Sequence, residues 1–221
     1  MSEDLKQEVT DKYSLHGRVF NRIREDILSG KYQENDELRE NTIASEMGVS
    51  RTPVREAIKQ LELEGLVNIV PNKGAYVTGI SEKDIHDIYV IRSYLEGLCA
   101  RWACEKITDE VIEELTEVVD LADFYIRKGN TEHIVELDNR FHELLYITSE
   151  SKWLNHMLSD FHHYVERIRT KSLKDLNRAK ASNAEHRAIV EALSARNGEE
   201  AERLAHEHII KTIFNINKKG L

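Results

Sequence analysis

The chain has 221 residues, 40% hydrophobic, 32% charged and 7% aromatic; it is a soluble globular protein with room for two ordinary domains, not a disordered chain. Only 2 prolines and 10 glycines occur, too few turn formers for a many-stranded sandwich or barrel. With 31 basic against 40 acidic residues the net charge is −9, which excludes coating nucleic acid through average charge but leaves room for a local basic reading head.

Residues 1–14 form an acidic extension without the apolar run of a signal peptide. No stretch of 18 apolar residues occurs, so no membrane span is expected. Cys99 and Cys104 lie five apart in a helical segment and point in different directions. Reduced thiols and a cytoplasmic location follow as expectations.

From Leu15 the apolar residues Leu15, Val19, Ile23 and Ile27 recur every four positions, which predicts an amphipathic helix ended by Gly30. The run from Glu40 to Ile58 has the form of a helix-turn-helix. Ala44 is small where two helices cross, and Gly48 permits the turn. Ile43, Met47, Val49, Val54 and Ile58 supply a shared core. Ser50 is placed to cap the second helix, and Pro53 is tolerated in its first turn.

That second helix carries Arg51, Thr52, Arg55 and Lys59. Its N-terminal end suits the major groove, where arginine pairs with guanine edges and threonine contacts bases or phosphates. Leu66–Val70 and Ala75–Thr78 read as two strands joined through Pro71-Asn72-Lys73-Gly74. Such a hairpin forms a wing whose tip meets the DNA backbone or minor groove. The winged helix-turn-helix spans 15–78, and 79–80 is a linker.

Gly48-Val49-Ser50-Arg51-Thr52-Pro53-Val54-Arg55-Glu56-Ala57-Ile58, followed by Leu61-Glu62-Leu63-Glu64-Gly65-Leu66-Val67, resembles the winged helix of GntR-type bacterial transcription regulators. The resemblance implies a homodimer on a palindromic double-stranded DNA operator. It implies DNA contacts from Ser50, Arg51, Thr52 and Arg55, and from the wing tip Asn72, Lys73 and Gly74. Members often carry arginine directly after the glutamate that matches Glu40. Here Asn41 follows and Arg39 precedes, so both are candidates for that contact.

From 81 to 221 the chain reads as six amphipathic helices, a mostly α architecture best packed as a bundle. Starts are expected near Ser81, Thr108, Asn130, Ser151, Asn177 and Asn197, each able to accept from free backbone N–H groups. On the third of these helices Asp138 and His142 share the face of Ile134, Leu137, Phe141 and Leu145. His186 lies on the stripe of Ile189, Val190 and Leu193, and His208 on that of Ala201, Leu204, Ala205 and Thr212. One carboxylate and three imidazoles on apolar faces are able to converge on a divalent cation. Without a cysteine ligand, zinc, nickel, manganese or iron fits. The competing reading of each histidine is a core residue bonded to a backbone carbonyl. The other histidines lack this registration.

Asp138-Asn139-Arg140-Phe141-His142, Glu185-His186-Arg187 and the later His208 are similar to the FCD effector domain of the FadR subfamily. Six helices resemble its VanR-like branch. The resemblance implies metal ligation by Asp138, His142, His186 and His208. Arg92 and Glu96, four apart, allow either a surface ion pair or an Arg92 that faces the cavity and grips an effector carboxylate. The resemblance favours the second. The expected protein is a metabolite-responsive operator-binding regulator. A metalloenzyme that activates water, or a purely structural metal, are the alternatives.

Overall fold

The computed structural model describes residues 15–219; the extension 1–14 lies outside them. The chain divides between Ser81 and Glu82 into two compact units.

The first unit holds α1 (Leu15–Leu28), α2 (Glu40–Met47), α3 (Arg51–Leu63), β1 (Val67–Val70) and β2 (Gly74–Val77). Both α1 and α2 pack on α3. Val19, Ile23 and Ile27 are buried as the four-residue repeat requires, whereas Leu15 opens the helix and is exposed. Gly48 sits in the left-handed region at φ 64° and ends α2, a conformation that costs glycine little. Ile43, Ala44, Val54 and Ile58 are core residues; Met47 and Val49 are half-buried. Ser50 occupies the cap position with extended backbone, but its hydroxyl makes no cap hydrogen bond.

The hairpin is antiparallel, with Val67 opposite Val77 and Val70 opposite Gly74. Gly74 thus belongs to β2 rather than to the loop, while Leu66 and Thr78 fall outside the strands. Periodicity gave no sign of a third segment that pairs with β2. The Leu38 N–H donates to the Ala75 carbonyl and the Asn35 N–H to the Val77 carbonyl, each at 2.8 Å.

The second unit contains the six expected helices, α4 (Glu82–Lys106), α5 (Asp109–Lys128), α6 (Thr131–Thr148), α7 (Lys152–Leu173), α8 (Leu176–Ser194) and α9 (Gly198–Lys219). Thr108, Asn130 and Ser151 cap α5, α6 and α7 by accepting from the N–H of Val111, His133 and Leu154. The Asn197 side chain accepts from the Glu200 N–H at the start of α9. The start of α8 differs: Asp175, not Asn177, is the cap and accepts from both Asn177 and Arg178 N–H. A carboxylate satisfies two orphan donors there and complements the positive helix end.

The core gathers Phe141, Leu144 and Leu145 of α6, Leu158 of α7, and Ile189 and Leu193 of α8 against α4 and α5. Cys99 and Cys104 are free and buried. No helix among the described residues is long and apolar enough to cross a membrane. Helix α9 packs along α4 more extensively than any other pair. Small residues allow it: Ala100 and Ala103 of α4 and Ala201 and Ala205 of α9 are all buried. At Gly97 the backbones approach so closely that a Cβ would lie 2.9 Å from the Glu202 carbonyl oxygen. Valine there replaces one poor helix former by another and adds the clash. Gly97→Val should therefore destabilise the protein by about 1–3 kcal/mol, seen as a lower urea midpoint with little change in the denaturant slope.

Candidate functional site

Two constellations carry chemistry, one in each unit. In the first, Glu40 opens α2 and faces two arginines of α3. Its Oε2 accepts from Arg51 Nη2 at 2.9 Å and Arg51 Nε at 3.2 Å. Arg55 donates from Nε to Oε1 at 2.9 Å and from Nη2 to Oε2 at 2.8 Å. One carboxylate thus braces both guanidiniums, while their side chains remain 57% and 51% exposed. Thr52, Asn41 and the wing residues Asn72, Lys73 and Gly74 are also exposed. Arg39 is paired instead with Glu37 at 2.9 Å. Asn72 turns the wing tip with a left-handed φ of 60°, which asparagine tolerates.

The second constellation lies inside the bundle. His142, His186 and His208 are buried, and one ring nitrogen from each lies within 4.8 Å of the others. His186 Nε2 and His208 Nε2 are 3.3 Å apart. The Phe141 ring stacks on His186 with centroids 3.9 Å apart. Asp138 stands just outside the trio, its Oδ1 3.8 Å from His186 Nε2. Its other oxygen lies 3.2 Å from Arg169 Nη2, though without hydrogen-bond geometry. Burial opposes ionisation of Asp138, yet the Arg169 guanidinium beside it holds its carboxyl below the usual range.

Each of two imidazoles is gripped from behind by a glutamate. His208 Nδ1 is 2.7 Å from Glu185 Oε2, and His142 Nδ1 is 3.3 Å from Glu96 Oε2. A carboxylate accepts only, so in each case Nδ1–H donates, and the tautomer this selects in a neutral ring is the one whose Nε2 carries the lone pair. Desolvation pushes the His186 and His208 pKa values down, opposed at His208 by the hydrogen bond to Glu185, so these two rings are neutral donors to a cation. Nitrogens bound at about 2.0–2.1 Å to a tetrahedral ion lie about 3.3 Å apart, close to the spacing of the His186–His208 pair. The donor set fits a divalent metal.

Arg92 and Glu96 do pair, at 2.6 Å, but with 1% and 2% side-chain exposure. The pair is therefore internal rather than on the surface. Tyr146 O–H also donates to Glu96 Oε1. Arg92, Arg169, Arg178, Tyr89, His142 and His208 line a cavity of about 20 Å³. Around it, Arg92 Nε and Nη1, Arg169 Nε and Nη2, and the Tyr89 hydroxyl are buried without hydrogen-bond partners.

Arg169, Arg178 and His162 carry no sequence signal of this role. His162 Nε2 meets Asn139 Oδ1 at 3.1 Å and its Nδ1 accepts from Arg169 Nη1 at 3.0 Å. Burial keeps its pKa low. Only the placement of Glu185 directly before His186 was a usable sign.

A winged helix with paired arginines on its second helix, followed by a helical unit built around a polar interior, is the build of a DNA-binding transcription regulator. Residues 15–77 match the family of bacterial regulatory proteins called gntR, and residues 87–211 match the FCD domain. The chain belongs to the GntR family, with an FCD domain.

It is 29% identical over 99% of its length to the HTH-type transcriptional regulator YdhC of Bacillus subtilis, covering 98% of that protein. It is 28% identical over 88% of its length to the HTH-type transcriptional repressor RspR of Escherichia coli, covering 86% of that protein. Escherichia coli McbR/YncC shares the fold with TM-score 0.73 at 22% identity, over 95% of this chain and all (100%) of the other. The matching gntR family and the YdhC and RspR relatives are transcription regulators and not enzymes, which removes the water-activating alternative.

Arg55 first, with Arg51 adding to it, holds the Glu40 carboxyl down at about 2 against an ordinary 4.5. The sign follows: the brace contributes above the unfolded value and is lost as pH falls through the folded one. The Glu40 side-chain resonance, followed by NMR, should show no titration near pH 4.5 and should move only close to pH 2. In Arg55→Ala the midpoint should rise toward the ordinary value.

Proposed function

We propose that this transcription regulator is a homodimer that represses from a palindromic operator and changes its operator affinity when a small carboxylate metabolite occupies the FCD unit. His142, His186 and His208, with Asp138 beside them, hold a divalent metal in this reading, and Arg92 takes the effector carboxylate. Bound there, the metal supplies positive charge and free coordination positions for carboxylate oxygens.

The observation that carries the proposal is the set of buried, unpartnered guanidinium donors of Arg92 and Arg169 around the histidine trio. Unpaired buried donors are costly, and an oxyanion satisfies them. The cavity, at about 20 Å³, has room for a water molecule and not for a metabolite. Carboxylate binding must therefore displace side chains or helices, and that displacement couples occupancy to the rest of the protein.

On the DNA side, Arg51 and Arg55 read base edges from the start of α3, with Ser50 and Thr52 beside them. Lys73 at the wing tip meets phosphate, and Asn72 and Gly74 shape that tip. Arg39 and Asn41 flank Glu40 at the start of α2. The repressor name of the Escherichia coli relative favours repression. A homodimer matches a two-fold operator and doubles the contacts that one winged helix makes.

Arg51→Ala and Arg55→Ala should each weaken specific operator binding by about 1–3 kcal/mol. Folding should change little, since both side chains are largely exposed. Fluorescence anisotropy with operator and scrambled DNA measures this, and unchanged selectivity in both variants would remove the assignment.

The metal reading has its own test. His208→Ala should lose metal by elemental analysis after nickel loading and dialysis. The nickel-dependent rise in melting temperature should vanish with it; in the parent that rise reflects a stabilisation of about 2.7 kcal/mol when free metal is a hundredfold above its dissociation constant. Stoichiometric nickel in that variant would exclude His208 as a ligand.

A further inference from the structure

The two glutamates behind the histidines have a second neighbour each, and in both cases it is an arginine of the same cavity. Glu96 Oε1 accepts from Arg92 Nη2 at 2.6 Å, while its Oε2 faces His142 Nδ1. Glu185 Oε2 lies 3.3 Å from Arg178 Nη2 and 2.7 Å from His208 Nδ1. Arg178 is itself fixed by a 2.9 Å hydrogen bond to Thr212 Oγ1. Each unit is a chain of arginine, carboxylate and imidazole. The first runs from α4 to α6; the second links α8 and α9. Both Arg92 and Arg178 line the cavity together with His142 and His208.

We propose that Glu96 and Glu185 are positioning residues of the histidine site. Each fixes the tautomer and ring orientation of one imidazole, and each ties that imidazole to an arginine of the anion-binding cavity. The inference rests on the metal reading given above.

A neutral imidazole has two tautomers, and only the one protonated on Nδ1 offers Nε2 to a cation. In solution both are present, so a site that leaves the choice open loses affinity. The carboxylate at Nδ1 removes that freedom and also raises the donor strength of the ring. Glu185 adds a link: Arg178 reaches both of its oxygens at 3.3 Å while His208 Nδ1 donates to Oε2. An oxyanion that draws the guanidinium away leaves the carboxylate to the imidazole. Filling of the cavity thus acts on the grip at His208.

Glu185 is the better reporter, because its side chain keeps 14% exposure whereas Glu96 is fully enclosed with Arg92. Nickel affinity of the full-length chain can be measured by competition with a chromophoric chelator, with nickel as the only ligand. Removing an outer partner of a metal-bound histidine weakens binding by about 10–100-fold. Glu185→Gln should fall near the low end, because an amide oxygen still accepts from Nδ1–H. Glu185→Ala should fall near the high end.

Metal-free melting temperature of Glu185→Gln should stay within a few degrees of the parent, a split that a merely structural role would not produce. Glu96→Gln provides the second arm and should weaken nickel in the same range. If the parent binds nickel and both Glu185 variants bind it within twofold as tightly, the positioning role is overturned while the metal reading stands. If the parent takes up no nickel, the metal reading fails and this inference with it.

Discussion

Burying charge inside a helical bundle is unfavourable unless every charge finds a partner, and the interior of the FCD unit is organised by that requirement. Arg92 is fully enclosed, at 0% exposure. Removing an ion from water costs several kcal/mol even after relaxation. The compensation comes from Glu96, four residues along the same helix, whose carboxylate is in turn held by Tyr146 and His142 on α6. Arg169 of α7 answers Asp138 of α6, and Arg178 of α8 answers Glu185 on its own helix and Thr212 on α9. Five of the six helices contribute to one polar network. Hydrophobic packing brings these helices together, and the pairing of charges joins them inside.

That network is incomplete, and the proposed effector site lies where it is incomplete. A closed interior would leave no guanidinium donor unpaired, since partly satisfied networks are the costly ones. Here the unpartnered groups other than His133 Nδ1 belong to residues lining the cavity beside the histidines. Apolar packing at Phe141, Leu145, Ile189 and Leu193 surrounds them and keeps the local dielectric low. In such surroundings an oxyanion or a cation interacts far more strongly than it does at the surface.

The reading head applies the opposite arrangement to the same residue types. Glu40 sits between Arg51 and Arg55, but the three are at the surface. Exposed ion pairs of this kind add little stability. What the brace supplies is order: two long, rotamer-rich side chains are held side by side, and if they contact DNA as proposed, less conformational freedom remains to be lost on binding. Glycines serve distinct ends in the two units. Gly48 takes a left-handed turn between α2 and α3, whereas Gly97 permits close approach of α4 and α9 in ordinary helical geometry.

Much of this was determined by sequence alone. Helix starts at Thr108, Asn130, Ser151 and Asn197 were legible because capping is a local exchange between one side chain and the next few N–H groups. The turn at Gly48 was legible for the same reason, and the three histidines were legible from their place on apolar stripes. What failed needed contacts distant along the chain. The Arg92–Glu96 spacing gave the ion pair but not its burial, because depth depends on which helices cover α4. Residues 35–38 pair with β2 without any periodic pattern of their own. Arg169, Arg178 and His162 read as ordinary polar positions until α7, α8 and α9 closed around them. Local chemistry sets the elements and the faces they bury; only tertiary packing decides which charges end up together inside, since that depends on distances between helices that no spacing in the sequence encodes.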